Sequence, residues 1–147
     1  MEYFIVEYGV MWDTILEILE RKAKEGVEVR FMYDGMCSIA LLPYHYPKIL
    51  EAKGIHCHAF APIKPALSTY QNNRDHRKIV VIDGHTAFTG GVNLADEYIN
   101  VKERFGYWKD VAVMIKGEAV KNFTIMFLQM WNIWEKTPGR RHIRHRL

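Results

Sequence analysis

Apolar positions along the chain follow two periods, one of alternation and one of helical stripes. Residues 3–8, Tyr-Phe-Ile-Val-Glu-Tyr, form a short apolar run that reads as a buried strand. Over residues 11–25 the period lengthens. Met11, Trp12, Ile15, Leu16, Leu19 and Ala23 share one helical stripe with charges opposite, and Gly26 ends the helix. Residues 27–33 alternate as a strand, Asp34-Gly35 turns, and Pro47 opens a short helix through Lys53 that stops at Gly54. Residues 55–60 make a third strand. Residues 61–74 contain Pro62 and Pro65 and few periodic apolar positions, which predicts a long loop delivering the chain to His76. Its Ile63, Lys64, Pro65, Ala66 and Leu67 suit contact with lipid, or packing on the body as connections commonly do.

Residues 79–82 are a continuous β-branched run, Asp83-Gly84 is a favoured two-residue turn, and residues 85–89 return as the second strand of a hairpin. A short helix is predicted over residues 93–98, beginning at Asn93, where a helix N-terminus would itself attract anions. A strand over 108–115 follows. The last element is an amphipathic helix over 118–134, with Val120, Phe123, Phe127, Met130, Trp131 and Trp134 facing inward. The order βαβαβ, hairpin, α, β, α predicts an α/β fold, a mixed β-sheet sandwiched by helices.

Composition narrows this picture. A chain of 147 residues, 49% hydrophobic and 25% charged, is a single globular domain with a proper core. We assign residues 1–136 to the domain and 137–147 to a basic tail expected to be disordered. The net charge of +3 owes much to that tail, so the body is near neutral, less than a long nucleic-acid track would want. Cys37 and Cys57 have the spacing of neither a zinc site nor a disulfide framework and read as reduced, structural thiols. No apolar run is long enough to cross a bilayer, and the N-terminus lacks the features of a signal peptide, so the chain is expected to be soluble. It begins almost directly on a strand, as a piece cut from something longer would.

The chemistry concentrates around the hairpin. His76 and Lys78 are two residues apart, so an extended backbone holds imidazole and ammonium side by side, where a phosphate can take a hydrogen bond from one and charge from the other. Asp83 has the opposite parity and reads as a structural carboxylate. The plain alternative is an ordinary buried hairpin with His and Lys at its rim. His76-x-Lys78-x4-Asp83, with Gly90-Gly91 and Asn93 after it, resembles the HKD signature of the phospholipase D superfamily. With residues 3–8, 29–35 and 76–84 the likeness extends over nearly the whole chain. It is closest to the first catalytic half of bacterial cardiolipin synthases, and it implies a phospholipase D-like half domain.

That resemblance implies phosphodiester chemistry through a phosphohistidine, with a catalytic set of His76, Lys78, Asp83 and Asp110. His76 is the expected nucleophile, and Lys78 and Asn93 are expected to bind the nonbridging phosphate oxygens. Asp110 is the candidate acceptor that orients the imidazole, with Glu103 in reserve, whereas Asp96 and Glu97 read as surface helix charges. No metal and no cofactor are required. One His cannot be nucleophile and acid at once, so a second HKD domain or a homodimer is implied. The expected activity is phosphatidyl transfer between phosphatidylglycerol molecules, in a full-length protein associated with the membrane. The alternatives are a single-motif homodimeric nuclease acting on nucleic acid and an inactive excised half. Among the other histidines, His56-Cys57-His58 places two imidazoles on one strand face without further metal ligands beside them, and His85 reads as hairpin surface.

Overall fold

The computed structural model describes residues 1–60 and 74–134. The loop segment 61–73, with the lipid-facing residues expected there, and the tail from residue 135 lie outside the described residues, as does the side chain of Trp134.

Six strands form one mixed sheet: β1 (Glu2–Tyr3), β2 (Val29–Asp34), β3 (Ile55–Phe60), β4 (Ile79–Ile82), β5 (Thr86–Gly90) and β6 (Ala112–Lys116), in the spatial order β3-β2-β1-β4-β5-β6. The β1–β2 and β2–β3 pairs are parallel, and the remaining three are antiparallel. Helices α1 (Val10–Lys24), α2 (Tyr46–Glu51) and α3 (Val120–Trp134) cover it. Alternation along β2 divides the core. Val29, Phe31 and Tyr33 join Trp12 and Leu16 of α1 and Tyr46 and Leu50 of α2, while Met32, on the other face, packs on Phe127 and Trp131 of α3. The helices therefore sandwich the sheet, as the sequence pattern predicts. Burial of each large apolar side chain contributes about 1.5–3 kcal/mol. Trp12 also donates its indole N–H to the Tyr46 hydroxyl at 2.5 Å, which satisfies both polar atoms in the core.

Two local outcomes follow the expected chemistry closely. The C-terminus of α1 closes with the Gly26 N–H on Ala23 O and the Val27 N–H on Lys22 O, both 3.0 Å, around Gly26 at φ 93°. Asp83 (φ 51°) and Gly84 (φ 66°) both take the left-handed conformation that a two-residue hairpin turn of this hand requires, and the His85 N–H reaches Ile82 O at 3.0 Å.

The first strand departs from expectation. The run over residues 3–8 does not stay in the sheet: β1 ends at Tyr3, and the chain then bends and moves to the segment following β5, where Val6 pairs with Leu94. Leu94 keeps two backbone bonds with this stretch, accepting the Glu7 N–H at 2.9 Å and donating to Ile5 O at 3.1 Å, and side chains take the two N–H groups that precede Glu7. The Ile5 N–H is bound by Asn93 Oδ1 at 3.1 Å and the Val6 N–H by Ser38 Oγ at 3.3 Å. Asn93 does not open a helix either; the helical turn is a single 3₁₀ turn, Asp96–Ile99.

Candidate active site

His76 and Lys78 lie on the extended lead into β4 rather than within the strand itself. This lead is fixed from below by Asp34, at the end of β2. The Asp34 Oδ1 atom accepts the Met36 and Cys37 N–H groups at 3.0 and 2.9 Å and Arg74 Nη1 at 3.3 Å, while Oδ2 accepts the Asp75 N–H at 3.3 Å. The Asp34-Gly35 turn expected from sequence is thus also an anchor for the residues that precede His76.

The His76 ring is exposed, whereas Lys78 is only 5% exposed. Lys78 Nζ donates to the His76 carbonyl oxygen at 2.8 Å and stands 3.3 and 3.2 Å from Nδ1 and Nε2 of the same ring. Burial lowers the Lys78 pKa, and the negative charges of Asp110 and Asp75 act against that shift. Phe4, just past β1, closes the other side. Its ring lies 4.5 Å from the His76 ring, and Lys78 Nζ lies 5.2 Å from its centroid. The sequence carried no signal for Phe4, because its position appeared to lie inside a regular strand. An exposed nitrogen nucleophile beside a confined ammonium is suited to binding and attacking a phosphoryl group.

Asp110 comes to the same end of the sheet from the segment preceding β6. It accepts the Trp108 indole N–H at 3.0 Å and the Val111 N–H at 2.7 Å, and these hydrogen bonds, the indole's first, hold its carboxyl below the usual range. Its charge acts on Lys78, but among the described residues no hydrogen bond joins it to His76. The close approach depends on Gly91, where a Cβ would collide with the Asp110 carboxylate. At Gly90 a Cβ would come within 2.5 Å of Val111 O. The glycine pair thus has a steric reason.

Asn93 is 3% exposed and anchors the scaffold at both ends of its amide. Oδ1 takes the Ile5 N–H, and Nδ2 donates to the Tyr98 hydroxyl at 2.8 Å, leaving one Nδ2 hydrogen for another acceptor. Asp83 is not brought to this site, since it occupies the exposed turn at the far end of β4. Glu103 lies exposed at a surface hollow with Asn100, Gly106 and Tyr107.

Asp96 and Glu97 are not the surface charges expected. Asp96 caps α1 from across the fold, accepting the Val10 N–H at 3.0 Å and the Met11 N–H at 2.9 Å, because Gly9 has no side chain to do so. Glu97 is 5% exposed and pairs with Arg104 at 3.3 Å. Both cysteines are free, and burial pushes the Cys37 thiol up to about 11. His85 sits on the exposed hairpin surface, and His58 packs on Trp131 at 4.3 Å. Among the described residues no group of three His, Cys, Asp or Glu side chains is placed to hold a metal ion, and no helix is long and apolar enough to cross a membrane.

Residues 2–131 match the family model described as cardiolipin synthase, PLD-like domain. An uncharacterized protein of Streptococcus mutans is 61% identical over 92% of the chain, which spans 30% of that protein. The cardiolipin synthase of Alkalihalophilus pseudofirmus is 44% identical over 90% of the chain, which spans 26% of its length. Cardiolipin synthase 2 of Staphylococcus epidermidis is 42% identical over 90% of the chain, with 27% of its own length covered. The chain therefore spans between a quarter and a third of these relatives. Among solved structures, the phospholipase D family member Nuc from Salmonella typhimurium shares the fold, with a TM-score of 0.58 and 22% identity over 90% of this chain and 76% of that one. NucT from Helicobacter pylori does so with a TM-score of 0.57 and 14% identity over 90% and 80% of the two chains.

Proposed function

Because the chain belongs to the family of cardiolipin synthase, phospholipase D-like domains, we propose that it is a phosphatidyltransferase half domain that passes a phosphatidyl group between phosphatidylglycerol molecules through a phosphohistidine at His76. The observation that carries this reading is the exposed His76 imidazole with the buried Lys78 ammonium held within 3.3 Å of both ring nitrogens.

In this scheme a ring nitrogen of His76 attacks phosphorus, an N–P bond forms, and the P–O bond to the departing glycerol breaks. Lys78, with the spare Nδ2 hydrogen of Asn93, stabilises the charge that builds on the nonbridging oxygens. Asp110, drawn toward the ring when substrate seats, accepts from the other ring nitrogen and supports the charged intermediate. The leaving alkoxide takes its proton from the histidine of a second HKD motif, supplied by another domain of the longer protein or by a second copy of this chain. That histidine then deprotonates the hydroxyl of the incoming phosphatidylglycerol, which attacks phosphorus and frees His76. No metal or cofactor enters these steps. Asp83 serves the hairpin turn, and the longer protein works at the membrane that holds its substrate.

The test supplies phosphatidylglycerol vesicles to the chain together with a second HKD domain and follows glycerol release and cardiolipin formation by mass spectrometry. Both products are expected, and both are lost in His76→Ala. A homodimeric phosphodiesterase acting on nucleic acid is the alternative, favoured by a fold shared over 76% and 80% of the two solved chains. Cleavage of DNA by the chain alone, with no lipid product, would establish it instead.

A further inference from the structure

Around the chain neighbours of His76 the fold buries two carboxyl groups against one guanidinium. Glu2 is 1% exposed and Asp75 is 4% exposed, with Arg77 half-buried beside both. Arg77 grips Asp75 with two prongs, Nε to Oδ1 at 2.9 Å and Nη2 to Oδ2 at 3.3 Å, and the same Nη2 comes within 2.8 Å of Glu2 Oε1. That last approach is off the line of the N–H bond. Among the described residues neither Glu2 oxygen receives an aligned hydrogen bond, and Glu2 and Asp75 converge on one nitrogen, Arg77 Nη2, 2.8 Å from Glu2 Oε1 and 3.3 Å from Asp75 Oδ2.

Charge counting assigns the proton. Two carboxylates are acceptors only, so a hydrogen bond between them requires one to carry the hydrogen. One guanidinium offsets one buried negative charge, and a second charge without a donor would be costly. The aligned hydrogens of Arg77 fall on Asp75. Asp75 is therefore the carboxylate and Glu2 the acid.

The three groups touch no reacting atom, yet they hold the residue that does. Asp75 and Arg77 are the chain neighbours of His76 on either side, and residues 74–78 run outside the strand ladder, so side chains must fix this backbone. Glu2 supplies the third point from β1, two residues before Phe4, whose ring rests on the imidazole.

We propose that Glu2 is a positioning residue for His76, donating its carboxyl hydrogen to Asp75 and so completing a neutral Glu2–Asp75–Arg77 brace on the backbone either side of His76. Burial and the hydrogen bond with Asp75 push the Glu2 carboxyl up to about 9, against the pull of Arg77; the Met1 amino group also faces it, but burial holds that amine down at about 5, so it adds no charge at neutral pH. Burial acts on Asp75 in the same sense, but its hydrogen bonds with Glu2 and Arg77 outweigh it and hold that carboxyl below its ordinary value. The inference takes from the proposed function only that His76 is the reacting group.

The test compares Glu2→Gln with Glu2→Ala in the whole chain. The amide keeps the shape and an uncharged donor toward Asp75; the methyl keeps neither. In isotope-labelled protein the His76 imidazole resonances are expected to match wild type in Glu2→Gln, and to be displaced in Glu2→Ala. The infrared carbonyl band of a buried protonated carboxyl is expected at neutral pH in wild type and absent from Glu2→Gln. Equal displacement of His76 in both variants would show an ionised Glu2 and overturn the proposal. So would an unmoved His76 in a folded Glu2→Ala, since the brace would then support the fold without positioning the ring. If Glu2→Ala does not fold, Glu2→Gln decides alone: a displaced His76, or the infrared band persisting in this variant, overturns the proposal. No substrate is involved, so failure of lipid transfer leaves the brace standing, and failure of the brace leaves lipid transfer standing.

Discussion

Lys78 is tied to the residue it serves: its Nζ donates to the His76 carbonyl at 2.8 Å while facing both nitrogens of the His76 ring at 3.2 and 3.3 Å. The backbone bond sets where the ammonium stands, and the ring's place on the same short extended segment sets how near it stands to the nucleophile. A cation held this way needs little rearrangement when a phosphoryl group arrives.

Replacing Lys78 by Met tests that arrangement. Met fills similar space without charge, so the buried ammonium's desolvation cost disappears, and stability is expected to stay level or rise. Phosphatidyl transfer is expected to fall by about 10²–10³-fold in kcat, the scale of losing one donor at developing charge. Urea unfolding and initial rates on the same preparations check both halves.

Gly91 is predicted to resist replacement because a side chain of the site stands against it, whereas at Gly90 the obstacle is backbone. An alanine there would drive its Cβ into the Asp110 carboxylate, displacing the group that Trp108 and Val111 hold. A loss of about 1–3 kcal/mol is expected, the usual scale of overpacking. A shift of the Trp108 indole N–H resonance should accompany it, and an unmoved resonance would show that Asp110 is not held there.

Asp96 is predicted to matter to α1 and not to chemistry. Asp96→Ala leaves the Val10 and Met11 N–H groups without their acceptor and is expected to cost about 1 kcal/mol in urea unfolding. Asp96→Asn, which keeps an oxygen acceptor, should lose less. Lipid transfer should be unchanged in Asp96→Asn.

The pH dependence of stability carries the signature of Glu2. Its carboxyl is raised from 4.5 to about 9 in the folded chain, so at neutral pH folding binds a proton that the unfolded chain does not. The stabilisation is full below 4.5 and is lost as pH rises toward 9, at up to about 1.4 kcal/mol per pH unit for one proton. Asp75, shifted down, acts in the opposite sense and only at more acid pH. Urea unfolding of wild type should therefore weaken across this window, and Glu2→Gln should remove that component.

The layered architecture was legible in the sequence because it rests on apolar periods: the stripe of α1 and the alternation in β2 bury the face that the pattern predicts, whereas of the β-branched run of β4 only Ile79 is buried. The His76–Lys78 pair was legible from its spacing of two, which holds on the extended lead as it would in a strand. What the sequence hid are long-range polar substitutions for regular structure. Asn93 completes the backbone where β1 breaks off, and Asp96 caps a helix 86 residues earlier in the chain. Glu2 carried no signal in the sequence, since only the fold brings it against Arg77 and Asp75. Local patterns contain no record of such partners. The Gly90-Gly91 pair was visible as a motif, but its cause, the approach of the segment before β6, appears only in three dimensions.

Trapping the covalent intermediate tests the central claim most directly. The chain is mixed with phosphatidylglycerol and a second HKD domain, quenched during turnover and digested for peptide mass spectrometry. The account predicts a phosphatidyl mass on the peptide carrying His76, absent from His76→Ala. Turnover to cardiolipin with His76 unmodified throughout, or with the adduct on another residue, would contradict it.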